Sequence, residues 1–254
     1  IASTDTFYAV DGSIDVTLDN SGKAHVVFGI IRTWFNVNNV SWNFFKMTDG
    51  VGYWNEDMPG FSSNNNALNP NDHPESELVK DKSLIGWAQD MNGDSLVSYL
   101  SPPIPMAYFY FSLGISSMPQ IVCDDQNRLF FMFSSLTETY HNGVENYRRL
   151  WLRYFNNGLQ SWSPFYHFMA GEPHYQFSEC VFPSLNKGTT TDLYFIYMND
   201  AEPGIVGQGS SQPWSYNQFV CVKIPKDEVV SINTLPKNSP AFSVEQNFPN
   251  PFSE

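Results

Sequence analysis

Four times along this chain a short apolar run stops at a compact polar turn and resumes as a second apolar run. Ile14, Val16 and Leu18 lead into Asp19, Asn20, Ser21 and Gly22, and Ala24 to Ile30 follow. Ile85 and Trp87 lead into Asp90, Asn92, Gly93 and Asp94, followed by Leu96, Val97 and Tyr99. Ile121, Val122 and Cys123 lead into Asp124, Asp125, Gln126 and Asn127, then Leu129 to Phe133. Cys180, Val181, Phe182 and Leu185 lead into Asn186, Lys187 and Gly188, then Leu193 to Tyr197. Asp and Asn accept hydrogen bonds from backbone two residues on and tolerate left-handed φ, which Gly adopts without a steric penalty. Each copy therefore reads as a β-hairpin.

The flanking runs are rich in Val, Ile, Phe and Tyr and too short for helices, and no stretch of useful length carries a 3.6-residue period. The spacing predicts an all-β chain. Further aromatic runs, Val40 to Met47 with Val51 to Trp54 after a Thr48-Asp49-Gly50 turn, and Leu150 to Phe155 with Trp162 after Asn156-Asn157-Gly158, supply second hairpins. Two hairpins make a four-stranded antiparallel sheet, and such sheets in tandem predict a β-propeller-like array, incomplete at four sheets. The expected domain is 1–228, with blades near 14–58, 80–113, 115–168 and 175–227. Stretches 60–77, 137–146 and 201–213 are polar and read as surface loops. A linker is expected over 229–241. A twisted β-sandwich is the competing architecture.

Net charge is −13, from 13 basic and 26 acidic residues, with no clustered basic footprint, so nucleic acid is excluded as a partner. No apolar run reaches the roughly 18 residues of a membrane helix, and an acidic surface is repelled by anionic headgroups. No membrane insertion is expected. The first residue is Ile rather than Met, and a signal peptide is expected to have been removed already. Cys123, Cys180 and Cys221 each sit inside an apolar run and read as buried free thiols, with a disulfide between two of them left open.

Candidate chemistry begins with Asp90, Asn92 and Asp94, whose alternating oxygens around Gly93 are a calcium-type arrangement lacking the downstream bidentate carboxylate. Their plainer reading is a hairpin turn, so no cofactor is expected beyond that calcium option. Glu138, Glu145, Glu172 and Glu179 are the carboxylates from which a glycosidase pair would be drawn. Arg32, Arg128, Arg148, Arg149 and Arg153 are the pool for a carboxylate clamp. His25, inside a strand, reads as a satisfied semi-buried imidazole, and His73, His141, His167 and His174 as loop histidines. No zinc-protease, nucleophile-elbow or P-loop motif is present. Trp54, Phe61, Trp214 and Tyr216 are the loop aromatics suited to stacking on a sugar or filling a partner's pocket.

Near the end of the chain, Pro249 and Pro251 remove backbone donors and hold an extended segment flanked by Phe248 and Phe252. The run Gln246, Asn247, Phe248, Pro249, Asn250, Pro251, Phe252 resembles the opening of the C-terminal sorting domain of type IX secretion cargo. The sequence stops at Ser253 and Glu254, so the expectation over 242–254 is only the beginning of such a domain. The resemblance implies export to the extracellular space or outer cell surface, with the outer-membrane translocon and its shuttle protein as partners. The expected function is a secreted binding or adhesion module for glycan or protein ligands. The alternative is a glycoside hydrolase of the sialidase-like type, with a carboxylate pair at a propeller mouth.

Overall fold

The computed structural model describes residues 5–99, 110, 112–167, 169, 178–188, 191–205 and 213–230. The chain is all-β and antiparallel, 49% strand and 5% helix, with one sheet curled as a half-barrel. The first sheet holds β1 (Phe7–Leu18), β2 (Ala24–Asn36), β3 (Ser41–Phe45), β4 (Val51–Asn55) and β5 (Leu84–Gly86). The second is a meander of β6 (Ser116–Cys123), β7 (Leu129–His141), β8 (Asn146–Asn156) and β9 (Ser161–Trp162), and the third one of β10 (Glu179–Leu185), β11 (Asp192–Asp200) and β12 (Gln218–Pro225). Two short helices complete the elements, α1 (Glu77–Lys80) and α2 (Lys226–Val230). Among the described residues no helix is long and apolar enough to cross a membrane.

Turn chemistry acts as expected at three of the four repeats. Asp19 accepts from the backbone N–H groups of Ser21 and Lys23 at 2.8 and 2.9 Å, and Gly22 takes φ +85°. Asp124 accepts from Gln126 and Arg128 at 3.0 and 2.9 Å, with Asn127 at φ +57°. Asn186 accepts from Gly188 at 2.7 Å. The same device closes β8 onto β9, where Asn156 accepts from Gly158 and Leu159.

The fourth repeat is a correction. Asp90 does bend the chain, accepting from Gly93 and Ser95, but no described residue of 87–99 is in a strand. The backbone donors that would build a ladder are taken by distant carboxylates: Ala88 by Asp49, and Met91 and Ser98 by Glu138. Of the blade expected near 80–113, Leu84–Gly86 joins the first sheet as β5, while 100–109 and 111 lie outside the described residues. The Thr48-Asp49-Gly50 turn is also not a hairpin. β3 and β4 both pair with β2, Arg32 facing Phe45 and Gly29 facing Val51, so Lys46 to Gly50 interrupts one broken strand. That excursion places Thr48 against Ile115 and Asp49 against Ala88.

Sheet two lies between the other two. One face carries Ile121, Leu129, Phe131, Phe133 and Trp151 against Val27, Val51, Tyr53 and Ile85 of the first sheet. Its other face carries Val122, Phe130, Met132, Leu150 and Leu152 against Leu193, Phe195, Val220, Val222 and Ile224 of the third. A strand covered on both faces cannot alternate apolar with polar, which is why Leu129 to Phe133 is unbroken apolar sequence. Along β11 and β12 burial alternates from residue to residue, because only one of their faces is covered.

First strands meet first strands at both junctions. Asp15 and Thr17 of β1 accept from the backbone N–H groups of Ile121 and Cys123 on the free edge of β6. Gln120 of β6 in turn accepts from Leu185 of β10, and the Met118 sulfur from Phe182. Edge donors that would otherwise be buried without partners are satisfied by side chains spaced two residues apart. Pro183 sits where the β10–β11 register shifts, between Val181 and Ser184, so its missing N–H costs no ladder bond.

Candidate functional site

Between the first and second sheets, at the end where their polar turns emerge, lies an open cleft of about 930 Å³. The turns themselves form its rim. The Asn20 side chain donates to Asp125 O at 2.9 Å, and its backbone N–H donates to Asn127 Oδ1 at 2.8 Å. Asn157 donates to Asn127 O at 2.9 Å, tying the β8–β9 turn to the same rim.

Aromatic side chains wall the cleft. Trp162 packs edge-on against Tyr53 and Phe155, each at 5.4 Å between ring centroids. On the other side Arg153 lies 5.5 Å from the Trp87 ring and 4.3 Å from that of Phe165. Its guanidinium donates to Ile85 O and Ser163 O, both at 2.6 Å, and burial pushes its pKa down to about 10. This arginine is a structural pin that holds two aromatic planes upright.

Deeper in, His25, Tyr53, Asn55 and Asp19 form a polar chain. Asn55 donates to the Tyr53 phenol at 2.9 Å, and that phenol lies 2.7 Å from His25 Nδ1. Burial holds His25 below its ordinary pKa, so the ring is neutral near pH 7, accepts the Tyr53 proton at Nδ1 and carries its own on Nε2. That Nε2 is buried without a hydrogen-bond partner, 3.6 Å from Asp19. Asp19 is held well below the carboxylate range, first by the Ser21 hydroxyl and then by the Lys23 N–H. Lys23 pairs with Asp57 across the mouth. The lining has three carboxylates, Asp19, Asp57 and Asp81, and three cations, Lys23, Lys82 and Arg153. Inside a strongly acidic chain the cleft is charge-balanced, which suits a neutral ligand.

The residues singled out from sequence are distributed elsewhere. Trp54 is half-buried with its indole N–H on Pro59 O, and Phe61 stands edge-on to Phe28; both pack with Leu68, Leu78 and Leu84 on the outer face of the first sheet. Trp214 and Tyr216 precede β12 at 88% and 94% exposure, outside the cleft lining. Asp90, Asn92 and Asp94 spend their oxygens on turn N–H groups, and among the described residues no three His, Cys, Asp or Glu gather as a metal site. Gln246 to Phe252 lie outside the described residues, as do Glu172 and His174.

Other candidates are committed to the scaffold. Glu138 accepts from Met91 and Ser98, and Glu145 is buried. Glu179 is fully buried under the Arg148 N–H and the Tyr110 hydroxyl, and burial pushes its pKa up to about 7. The arginines do not converge: Arg32 lies over Phe45, Arg128 on Asp124, Arg148 on the carbonyls of Gly114 and Ile115, and Arg149 on Ser178 O. Only Arg153 reaches the cleft. His167 stacks on Trp151 with both ring nitrogens buried, and His141 ends β7, paired with Asn146, so 137–141 of the loop expected over 137–146 is strand. All three cysteines are free; Cys123 and Cys180 are buried as expected, and Cys221 is exposed because it falls on the uncovered face of β12. The cleft residues Tyr53, Trp87 and Trp162 were legible only as strand aromatics. The signal that locates them is the gathering of the Asp19, Asn127 and Asn157 turns at one end of adjacent sheets. Neither a protein-family model nor a curated protein matches the chain.

Proposed function

We propose that this protein is an extracellular binding module with a β-propeller-like body, and that the cleft between its first two sheets receives a neutral glycan. One observation carries the reading: the aromatic side chains of Trp87, Trp162 and Tyr53 line a charge-balanced cleft together with amide and carboxylate groups. Sugars present apolar C–H faces and a belt of hydroxyls, so they are recognised by aromatic stacking together with planar polar groups. Trp214 and Tyr216 add a second exposed aromatic surface for a glycan or protein ligand.

The propeller-like reading is supported by the meander order of the second and third sheets, by first strands joining first strands, and by the coverage of the middle sheet on both faces. Export by type IX secretion, with its translocon and shuttle as partners, rests on the 246–252 resemblance. Binding is preferred over glycoside hydrolysis because a hydrolase needs a protonated acid at the ligand. Asp19 is held ionised in the cleft, while Glu179, the carboxyl raised toward neutrality, is sealed away from it.

A glycan array probed with the wild-type chain and with Trp162→Ala tests this. Retention of neutral oligosaccharides without turnover, weakened about tenfold or more by the substitution, corresponds to roughly 1.4 kcal/mol of lost stacking. Failure to retain any glycan, or release of reducing sugar that Asp19→Asn abolishes, would falsify the proposal.

A further inference from the structure

The three sheets use one joint twice, and the chain presents an unused half of that joint at each end. In the hairpins that open the three sheets, the residues one and three places before the polar turn are apolar: Val16 and Leu18, Ile121 and Cys123, Pro183 and Leu185. Ile121 and Cys123 are 0% and 8% exposed because the first sheet covers them, and Pro183 and Leu185 are buried in the same way. Val16 and Leu18 are 53% and 62% exposed, since no sheet precedes theirs among the described residues. Their sequence is written for a covered position. The opposite end has the matching half: Phe182, Ile196 and Phe219 are exposed on the outer face of the third sheet, the face that would cover a following one.

We infer that the third sheet of one copy docks on the first sheet of a second copy, so that β10 meets β1 as β1 meets β6 and β6 meets β10. The argument is complementarity to a joint already made twice within the chain. A polar group is available too, because Ser184 is exposed on β10 two places before its turn, the position from which Thr17 of β1 accepts from Cys123 in the first joint. Exposed apolar faces of this kind on neighbouring strands mark association surfaces. The contact is head-to-tail rather than two-fold, so it propagates to a ring or a short filament. It is independent of the cleft, which opens between the first and second sheets of a single copy.

Sedimentation velocity across the micromolar range, at salt high enough to screen the net negative charge, is the test. Expected are species larger than a monomer that grow with concentration, and loss of them in either Val16→Asp or Ile196→Asp. Mixing the two variants is expected to restore a capped one-to-one pair, since each retains one intact half. Thiol labelling gives a second readout: Cys221 on the tail face becomes slower to react as concentration rises, and the Ile196→Asp variant shows no such slowing. Should either aspartate variant misfold, Leu18→Lys and Phe219→Lys carry the same mixing experiment at more exposed positions. A monomer at all concentrations overturns the inference. So does a dimer that the mixture of variants fails to restore, because that result requires a symmetric contact.

Discussion

The two junctions of this molecule both bring first strand to first strand, yet one is packed chiefly with aliphatic side chains and the other opens into a cleft. Between the second and third sheets the packed residues are mostly aliphatic, Val122, Leu150, Leu152, Leu193, Val220, Val222 and Ile224, with Phe130, Phe195 and Tyr197 among them. Between the first and second sheets Val27, Val51, Ile85, Ile121 and Leu129 pack with Tyr53, Phe131, Phe133 and Trp151, and the cleft opens toward the turns beside Trp162.

The largest expected effect separates the two junctions by stability. Leu152→Ala in the aliphatic one is expected to cost about 2–5 kcal/mol, as for truncation of a fully buried side chain. Met58→Ala at the cleft edge is expected to cost about 1 kcal/mol, as for a half-buried side chain. Urea unfolding midpoints measure both, and equal losses would show that the cleft junction is as tightly packed as the other.

Next in size is an opposition in pH dependence. Burial raises Glu179 from 4.5 to about 7, so between those values the folded chain keeps a proton that the unfolded chain has released. Stability from this group is present at low pH and falls as pH rises through that window, by on the order of 1–3 kcal/mol. Glu179→Gln should flatten that limb in unfolding curves taken at successive pH values. Asp19 has the opposite sign: hydrogen bonds lower it from 3.8, so its contribution is present above that value and disappears as pH falls below it. Asp19→Asn should lower stability by a constant amount above about pH 4 and remove the slope of the acid limb, and a changed slope between pH 4.5 and 7 would break the contrast.

The smallest expected change concerns the exposed aromatics. Trp214→Ala touches neither junction and should shift the unfolding free energy by less than about 0.5 kcal/mol while removing any ligand that the Trp214 and Tyr216 surface holds. A large loss of stability would show that this tryptophan serves packing after all.

How much of this was legible differs from residue to residue. The hairpins at Asp19, Asp124 and Asn186 could be read because a turn is a local event, governed by a carboxylate or amide two residues from the N–H that it captures. The same wording at Asp90 misled, because Asp49 and Glu138, distant in sequence, take the donors that a strand there would need. Trp54 and Phe61 looked like ligand platforms and instead pack with Leu68, Leu78 and Leu84, while Trp162 is the strand residue it looked like and also lines the cleft. Aromatic composition announces that planes will exist, and only the approach of one sheet to another decides which of them faces an opening.

From its order of residues alone, this protein was bound to be antiparallel and all-β, since turn geometry and two-residue alternation are written within a few positions of one another. Whether a given strand is covered on one face or two was not written there, because Leu193 to Met198 of β11 is as unbroken an apolar and aromatic run as Leu129 to Phe133 of β7. Tertiary structure decided the rest: which sheets neighbour each other, where they part, and which face stays bare. Those outcomes depend on contacts between residues a hundred positions apart, such as Asp15 with Ile121, and no local pattern encodes the distance between them.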